Sequence, residues 1–169
     1  MSLQPGRRRR ITAADPALRR TVRRAVARFA TGVLLLTARD ASLSDWGVTV
    51  GAFLPVSEDP PLVAVALRAD AGSTPHFAGA DRLALSILGA RHEELAARFA
   101  SGRPDRFVLG GTERSASGLM TATGALAVLE ARPAETLERG DHVLVLAEVV
   151  DATVGSGEPL VYFEGDYRV

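Results

Sequence analysis

The stretch from Trp46 to Leu67, WGVTVGAFLPVSEDPPLVAVAL, constrains the fold of this chain more than any other. Two apolar runs, Gly47–Phe53 and Pro61–Leu67, flank a polar turn at Ser57–Pro61 that can extend neither of them. Short apolar runs that are rich in Val and Leu and bounded by turn residues predict a pair of buried strands joined by a turn. We therefore expect the other elements to be arranged around this pair.

The first of these strands has small side chains on one face. Gly47, Thr49 and Gly51 occupy every second position, and alternate residues of a strand point to the same side of a sheet. One interpretation is that a flat ligand lies against the backbone and hydroxyl of this face. The other is that the glycines relieve a tight corner of a barrel, and the stretch alone leaves both open.

Composition excludes several classes of chemistry. The chain has 169 residues, 47% of them hydrophobic, as expected for one domain that buries about 70% of its extended surface. Cysteine is absent, which excludes disulfides, thiolate zinc sites and cysteine nucleophiles. All 20 basic residues are arginines, so a Schiff-base lysine and a phosphate-loop lysine are excluded as well.

Charge and hydropathy predict a cytoplasmic protein that binds neither a membrane nor nucleic acid. No apolar run reaches the roughly 18 residues of a spanning helix. The N-terminal arginines are not followed by the apolar segment of a signal peptide. The formal net charge is +0, so no overall field favours a polyanion.

The N-terminal region is rich in arginine. Residues 1–14 are predicted to be a disordered tail, the alternative being an arm that binds nucleic acid or an acidic partner. A helix is predicted from the Asp15–Pro16 cap to Gly32, because apolar residues recur at helical spacing from Leu18 onward. Its other faces carry arginines, which indicate a solvated surface rather than a polyanion site: Arg19, Arg20, Arg23, Arg24 and Arg28.

The remaining elements are short. We predict strands at Val33–Thr37, Arg82–Leu88, Ala125–Ala131, Asp141–Val150 and Pro159–Tyr167, the last with a break near Gly165. We also predict a helix at His92–Ala100 and a mobile loop at Val108–Ser117. Short strands with few helices between them favour an antiparallel barrel over a doubly wound sheet.

Two places are candidates for ligand binding. Ser73 and Thr74 precede Pro75 at the start of a short helix, where hydroxyls and free amides form either an anion site or an ordinary cap. His142 begins the long strand beside a turn, and a lone histidine there is either functional or structural. The sequence contains no dinucleotide fingerprint, nucleophile elbow or metal-spaced histidine pair, so chemistry by a bound cofactor fits best.

Seven short stretches, taken in order, carry a resemblance to one family. They are Arg28–Val33, Gly47–Phe53, Val56–Val63, Ser73–Pro75, Arg98–Ala100 with Asp105–Phe107, Gly140–His142, and Leu160–Phe163. In this order they resemble the flavin reductase-like family of FMN-binding split barrels, the small components of two-component flavin monooxygenases. The resemblance covers the chain from about residue 18 to its end.

This resemblance implies a fold and a site. The fold is a mainly β, antiparallel, Greek-key split barrel over residues 15–169 with two to three flanking helices. The implied flavin contacts are Thr49, Val50, Gly51, Ala52, Ser86, Tyr162 and Phe163, with Ser73, Thr74 and Arg106 at the flavin phosphate. An arginine fork pairs well with phosphate. His142 is implied to lie beside the nicotinamide, and no metal is implied.

The implied function is reduction of FMN or FAD by NADH or NADPH, in a homodimer that supplies reduced flavin to a partner monooxygenase. The alternative is a non-catalytic or repurposed split barrel that binds flavin or another planar ligand. A nucleic-acid-binding protein is a third class, with the least support because six Phe, two Tyr and one Trp offer little stacking surface.

Several positions depart from the family pattern. Gly51–Ala52 replaces residues with hydroxyl or amide groups, Ser86 replaces Asn, and Leu54–Pro55 replaces a polar pair. A hydrogen bond is worth about 1 kcal/mol net, so three lost bonds weaken flavin binding by roughly two orders of magnitude. Such weakening suits a protein that releases reduced flavin, and equally one whose flavin role has decayed.

Overall fold

The computed structural model describes residues 15–169, and the tail predicted for residues 1–14 lies outside the described residues. The described helices are α1 (Pro16–Val26), α2 (Thr74–Ala78) and α3 (Glu93–Ala100). The described strands are β1 (Thr31–Gly32), β2 (Leu34–Arg39), β3 (Asp45–Val50), β4 (Phe53–Glu58), β5 (Pro61–Arg68), β6 (Leu83–Ile87), β7 (Thr112–Arg114), β8 (Met120–Ala122), β9 (Ala127–Arg139), β10 (His142–Val154), β11 (Val161–Phe163) and β12 (Asp166–Arg168). All pairings between these strands are antiparallel, which confirms the predicted mainly β, antiparallel fold.

Seven strands form the main sheet, in the order β3-β2-β6-β9-β10-β5-β4. The long hairpin of β9 and β10 lies near its centre and turns at Gly140, whose φ of 63° favours a residue without a side chain. His142 lies opposite Arg139 of β9 and opposite Arg68 of β5. The register of both neighbouring strands therefore places this histidine at one end of the sheet.

Apolar side chains fill both sides of the sheet. Leu34 and Leu36 of β2 belong to one buried cluster, which also contains Phe77 of α2. Leu35 belongs to a second buried cluster, which contains Phe99 of α3. Because alternate residues of a strand point to opposite faces, β2 is covered on both sides, as its continuous apolar run indicates.

The structure corrects the prediction for the central stretch. Gly47–Phe53 is not one strand, because β3 ends at Val50 and β4 begins at Phe53. β3 pairs with β2, whereas β4 pairs with β5, so the two apolar runs are not hairpin partners. Since β3 and β4 are the two edges of the main sheet, Gly51–Ala52 forms the corner that connects them.

The first helix is also shorter than predicted, since α1 ends at Val26 and not at Gly32. The carbonyl of Ala27 accepts the backbone N–H of Glu164 at 2.9 Å, and Thr31–Gly32 pairs with β11. These contacts with the C-terminal part of the chain override the helical spacing, which reflects only neighbours in sequence.

The segment predicted as a mobile loop, Val108–Ser117, contains part of a small hairpin in which β7 pairs with β8. The Arg114 guanidinium fixes this hairpin, because Nη2 donates to Asp45 Oδ2 at 2.6 Å and Nη1 donates to the Gly118 carbonyl at 2.6 Å. The prediction of a loop was therefore wrong for residues 112–114.

Candidate functional site

An apolar cavity of about 540 Å³ opens at the corner between β3 and β4. Gly51 and Ala52 form one side of it, and Tyr162 of β11 forms another. The other lining residues are Val26, Ala27, Phe29, Thr31, Phe53, Leu54, Ala64, Val65, Ala66 and Leu144. A Cβ at Gly51 would lie 3.1 Å from the Thr31 hydroxyl, so glycine keeps this wall open. The volume lies within the roughly 300–1,000 Å³ of small-molecule and cofactor sites.

A second cavity of about 650 Å³ adjoins the first along α1. Val26 lines both cavities. His142 lines the second and Leu144 the first, and these two residues share one face of β10 because they are two positions apart. The two cavities therefore meet at Val26, and together they are called the groove below.

His142 is half exposed, with 40% of its side chain accessible. Its Nδ1 lies 2.7 Å from Asp141 Oδ1, and this hydrogen bond orients the ring. The same contact lowers the pKa of the Asp141 carboxyl below its ordinary value, chiefly because the hydrogen bond from His142 stabilises the charged form. The imidazole thus stands at the mouth of the second cavity beside a fixed carboxylate, where it can orient a ligand by hydrogen bonding.

The small-residue face of β3 is covered mainly by protein. A Cβ at Gly47 would lie 2.6 Å from Phe99 Cε1 and 2.8 Å from Phe107 Cζ. The Thr49 hydroxyl donates to the Ala96 carbonyl of α3 at 2.6 Å. Only the position at Gly51 opens onto the groove, so close packing against α3 explains the small residues before it.

The remaining predicted residues of this segment and of the C-terminus have different surroundings. Val50 is buried in the first core cluster. Ser86 is 0% exposed, and its hydroxyl oxygen accepts the N–H of Ala122 at 3.0 Å, which is a structural contact. Tyr162 faces the apolar cavity and its ring lies 5.3 Å from that of Tyr167, whereas Phe163 points to the opposite face of β11.

Ser73 and Thr74 begin α2 outside the groove. Thr74 is 4% exposed, and its hydroxyl donates to the Arg68 carbonyl at 2.7 Å. The Ser73 side chain makes no capping hydrogen bond, so its hydroxyl can take an external partner. His76, one turn later, stacks on Trp46 with ring centroids 3.5 Å apart, which fixes α2 on β3.

Arg106 lies in the turn after α3. Its Nη1 donates to the Arg103 carbonyl at 3.3 Å, and its guanidinium carbon lies 6.0 Å from the centre of the Phe107 ring. Its Nε is buried and has no hydrogen-bond partner among residues 15–169. This donor is the kind of group that an oxygen of an anionic ligand satisfies.

The structure therefore brings together some predicted site residues and not others. Gly51, Ala52, Tyr162 and His142 line the groove, whereas the phosphate candidates lie outside its lining. Sequence reasoning missed three wall residues, Phe29, Leu144 and Val26. Alternation along β10 from His142 could have indicated Leu144, and Phe29 stands in the first of the seven matched stretches.

None of the described helices combines the length and apolar character needed to cross a membrane. No three His, Asp or Glu side chains among residues 15–169 come together as metal ligands.

Comparison with known proteins places this geometry in a family. The profile of the flavin reductase like domain matches residues 26–169. The reductase component of a 4-hydroxyphenylacetate 3-monooxygenase from Thermus thermophilus is 36% identical over 152 residues, which cover 89% of this chain and 96% of the relative. An actinorhodin polyketide dimerase from Streptomyces coelicolor is 39% identical over 144 residues, which cover 85% of this chain and 81% of the relative.

Solved structures of similar proteins agree with the fold. An NADH:FAD oxidoreductase of Streptomyces globisporus, in complex with NAD and FAD fragments, superimposes with a TM-score of 0.85 at 30% identity. The alignment covers 94% of this chain and 96% of that one. The flavin reductase of a styrene monooxygenase from Pseudomonas putida superimposes with a TM-score of 0.79 at 31% identity, covering 88% of this chain and 96% of that one. The chain described here belongs to the flavin reductase like domain family, which confirms the resemblance seen in the seven stretches.

Proposed function

We propose that this protein is an NAD(P)H-dependent flavin reductase that supplies reduced FMN or FAD to a partner monooxygenase. The observation that carries the proposal is the groove, in which an apolar cavity at Gly51–Ala52 adjoins a second cavity at His142. Relatives named as NADH-dependent FMN reductases and as reductase components of monooxygenases support it. When bound, the dinucleotide supplies a hydride donor and the flavin supplies the acceptor ring, so the chain needs no nucleophile of its own.

The residues of the groove fit a flavin ring. The apolar cavity has Phe29, Leu144 and Tyr162 in its walls, and its volume of about 540 Å³ admits a planar ring system. Gly51 and Ala52 are exposed at the corner and offer backbone without bulky side chains. Backbone of this kind can lie against the ring and orient it, which brings donor and acceptor to reacting distance.

The test of the proposed function is NADH and NADPH oxidation by the purified protein with FMN, FAD or riboflavin. We expect turnover with at least one flavin and one dinucleotide. Absence of oxidation with every combination, together with retained flavin binding, would replace the proposal with the non-catalytic binder.

We propose that Ser73, Thr74 and Arg106 hold the flavin phosphate. Arg106→Ala is expected to weaken FMN binding by about 1.5–3 kcal/mol, because it removes a charge-assisted hydrogen bond. Riboflavin, which lacks the phosphate, should bind as to the wild type, and titration of both flavins by fluorescence measures this. Arg103→Ala is the matched control, because Arg103 already pairs with Asp105 at 2.8 Å. Equal loss of FMN and riboflavin in the Arg106 variant would make this arginine structural.

We propose that His142 orients the nicotinamide for hydride transfer. His142→Ala is expected to lower the rate of FMN reduction by about tenfold, or roughly 1.4 kcal/mol, because a positioning residue acts on the transition state. FMN affinity and melting temperature should stay near the wild-type values. Arg139→Ala is the control, since Arg139 lies opposite His142 in the sheet but outside the groove lining. If stability falls and the rate does not, His142 is a structural histidine.

We further propose a cytoplasmic homodimer, because a flavin reductase draws on the reduced dinucleotides of the cell and apolar side chains are exposed on β4. Leu54, which lines the apolar cavity, and Val56 on the same strand are both exposed, and exposed apolar surface of this kind favours association. We expect light scattering at micromolar concentration to give the mass of two chains. A monomer that still binds FMN would contradict the dimer.

A further inference from the structure

We propose that Arg19, Arg20 and Arg23 of α1 bind the diphosphate of the pyridine dinucleotide that donates the hydride. This inference rests on the proposed function and names the part of the groove that recognises the donor. All three arginines line the cavity that contains His142. The diphosphate end of the donor and its nicotinamide would therefore occupy one cavity.

The three arginines have no acidic partner. No carboxylate among residues 15–169 lies within ion-pair distance of them, although Arg28 pairs with Glu164 at 2.7 Å and Arg68 pairs with Asp70 at 2.6 Å. Residues 1–14 contain no acidic residue either. Asp141 is the one carboxylate among the residues that line this cavity, and it contacts His142 at 2.7 Å. Together with Arg68, the three arginines of α1 therefore leave the cavity with a net positive charge.

Their spacing concentrates this charge. Arg19 and Arg23 are four residues apart, and Arg20 and Arg23 are three apart, so all three lie on adjoining parts of one helix surface. Like charges at such spacing destabilise a helix by about 0.2–0.5 kcal/mol per pair, and no acidic residue within α1 offsets this. Two guanidinium forks one turn apart suit a ligand with two neighbouring phosphates, which arginine binds bidentately.

The rest of the wall fits the apolar parts of a dinucleotide. Leu18, Val22 and Val26 line the same cavity and are 54%, 49% and 64% exposed. No residue of α1 is buried, so these apolar side chains are free to pack against a ring of the dinucleotide. A concave site with apolar and cationic walls beside His142 matches a nucleotide better than an extended acidic peptide, which needs no cavity.

Arg24 provides a built-in control. It lies on the same helix with the same charge, but it lines a different cavity together with Thr21, Arg28 and Glu164. Alanine at any of these positions keeps or raises helix propensity, and none of the side chains is part of a buried cluster. The alanine variants should therefore fold like the wild type, and circular dichroism verifies that they do.

In the direct test, ADP-ribose is titrated into the whole chain saturated with FMN, and calorimetry measures the binding. This probe carries the diphosphate but no nicotinamide, so it cannot react. We expect the triple variant R19A/R20A/R23A to bind ADP-ribose at least tenfold more weakly than the wild type, and R24A to stay within twofold. Raising the salt concentration should weaken wild-type binding more steeply than that of the triple variant.

Kinetics with two donors gives a second readout. In the triple variant the KM for NADH should rise at least tenfold while kcat is kept, because the diphosphate contact is equally strong in substrate and transition state. N-Benzyl-1,4-dihydronicotinamide, which has no phosphate, should be oxidised as by the wild type. An equal loss with both donors would overturn the inference.

Other outcomes would assign Arg19, Arg20 and Arg23 to a different ligand. Unchanged ADP-ribose binding with weaker FMN but normal riboflavin binding would mean that the arginines hold the flavin phosphate. Unchanged ADP-ribose binding with loss of hexaglutamate binding would mean an acidic protein partner. Either result, or a wild type that does not bind ADP-ribose, overturns the inference. Failure of the proposed function is separate, since it appears as a wild type without flavin-dependent NADH or NADPH oxidation.

Discussion

Phe99→Ala is expected to lower the free energy of unfolding by about 3–5 kcal/mol, the usual cost of removing a fully buried aromatic ring. Phe99 is 1% exposed and belongs to the second core cluster. Its ring lies 4.9 Å from that of Phe107 in an edge-to-face arrangement, and it covers Gly47. The surrounding side chains relax only partly after such a truncation, so a cavity remains. Equilibrium denaturation by urea measures the loss.

Phe29→Ala is the matched control for this variant. Phe29 is 74% exposed, so its removal should change the free energy of unfolding by less than about 1 kcal/mol. Because Phe29 lines the apolar cavity, the same substitution should weaken flavin binding. A Phe99→Ala protein that unfolds like Phe29→Ala would contradict the packing of α3 on β3.

Gly47→Ala is expected to destabilise the protein by about 1–3 kcal/mol, the usual cost of overpacking. The new Cβ would lie 2.6 Å from Phe99 Cε1 and 2.8 Å from Phe107 Cζ, closer than atoms approach in proteins. The backbone conformation at Gly47 is not the left-handed kind, so the cost comes from the two rings and not from strain. Urea denaturation of this variant gives the cost directly.

Two further variants isolate that cause. Gly72→Ala adds the same methyl group where no atom lies within 4 Å, so stability should be unchanged or higher by about 0.4–1 kcal/mol. In a Gly47→Ala/Phe99→Leu double variant the smaller leucine side chain makes room for the new Cβ. The double variant should therefore lose less stability than the two single variants lose together. Strict additivity would show that Phe99 and Gly47 do not share the contact.

Phe99→Ala and Gly47→Ala also bear on function, because α3 supports parts of the proposed site. The Ala96 carbonyl of α3 accepts the Thr49 hydroxyl at 2.6 Å, two residues before the corner at Gly51. Arg106 stands in the turn that follows α3 and packs on Phe107. Displacement of α3 should therefore disturb both the flavin cavity and the proposed phosphate contact. His142 should keep its position, because β10 lies three strands away from β2 in the main sheet.

The sequence by itself determined the class of fold and the family. Apolar runs such as Val33–Thr37 and Pro61–Leu67, bounded by turn residues, indicate strands because a strand that is buried on both faces has a short continuous apolar sequence. Few helices between short strands then favour an antiparallel barrel. The order of seven short stretches indicated the family, and with it a flavin and a pyridine dinucleotide. Each of these inferences uses residues that are close in the chain.

Tertiary structure alone decided which faces are filled. Gly47, Thr49 and Gly51 look equivalent in sequence, yet Phe99 and Ala96 cover the first two and leave only the third open to the groove. Helical spacing runs on past Val26, but the next carbonyl, that of Ala27, accepts the N–H of Glu164, and the chain then pairs with β11. Whether a small residue is a binding surface or a packing contact depends on side chains that lie far along the chain, and only the folded topology brings those side chains together.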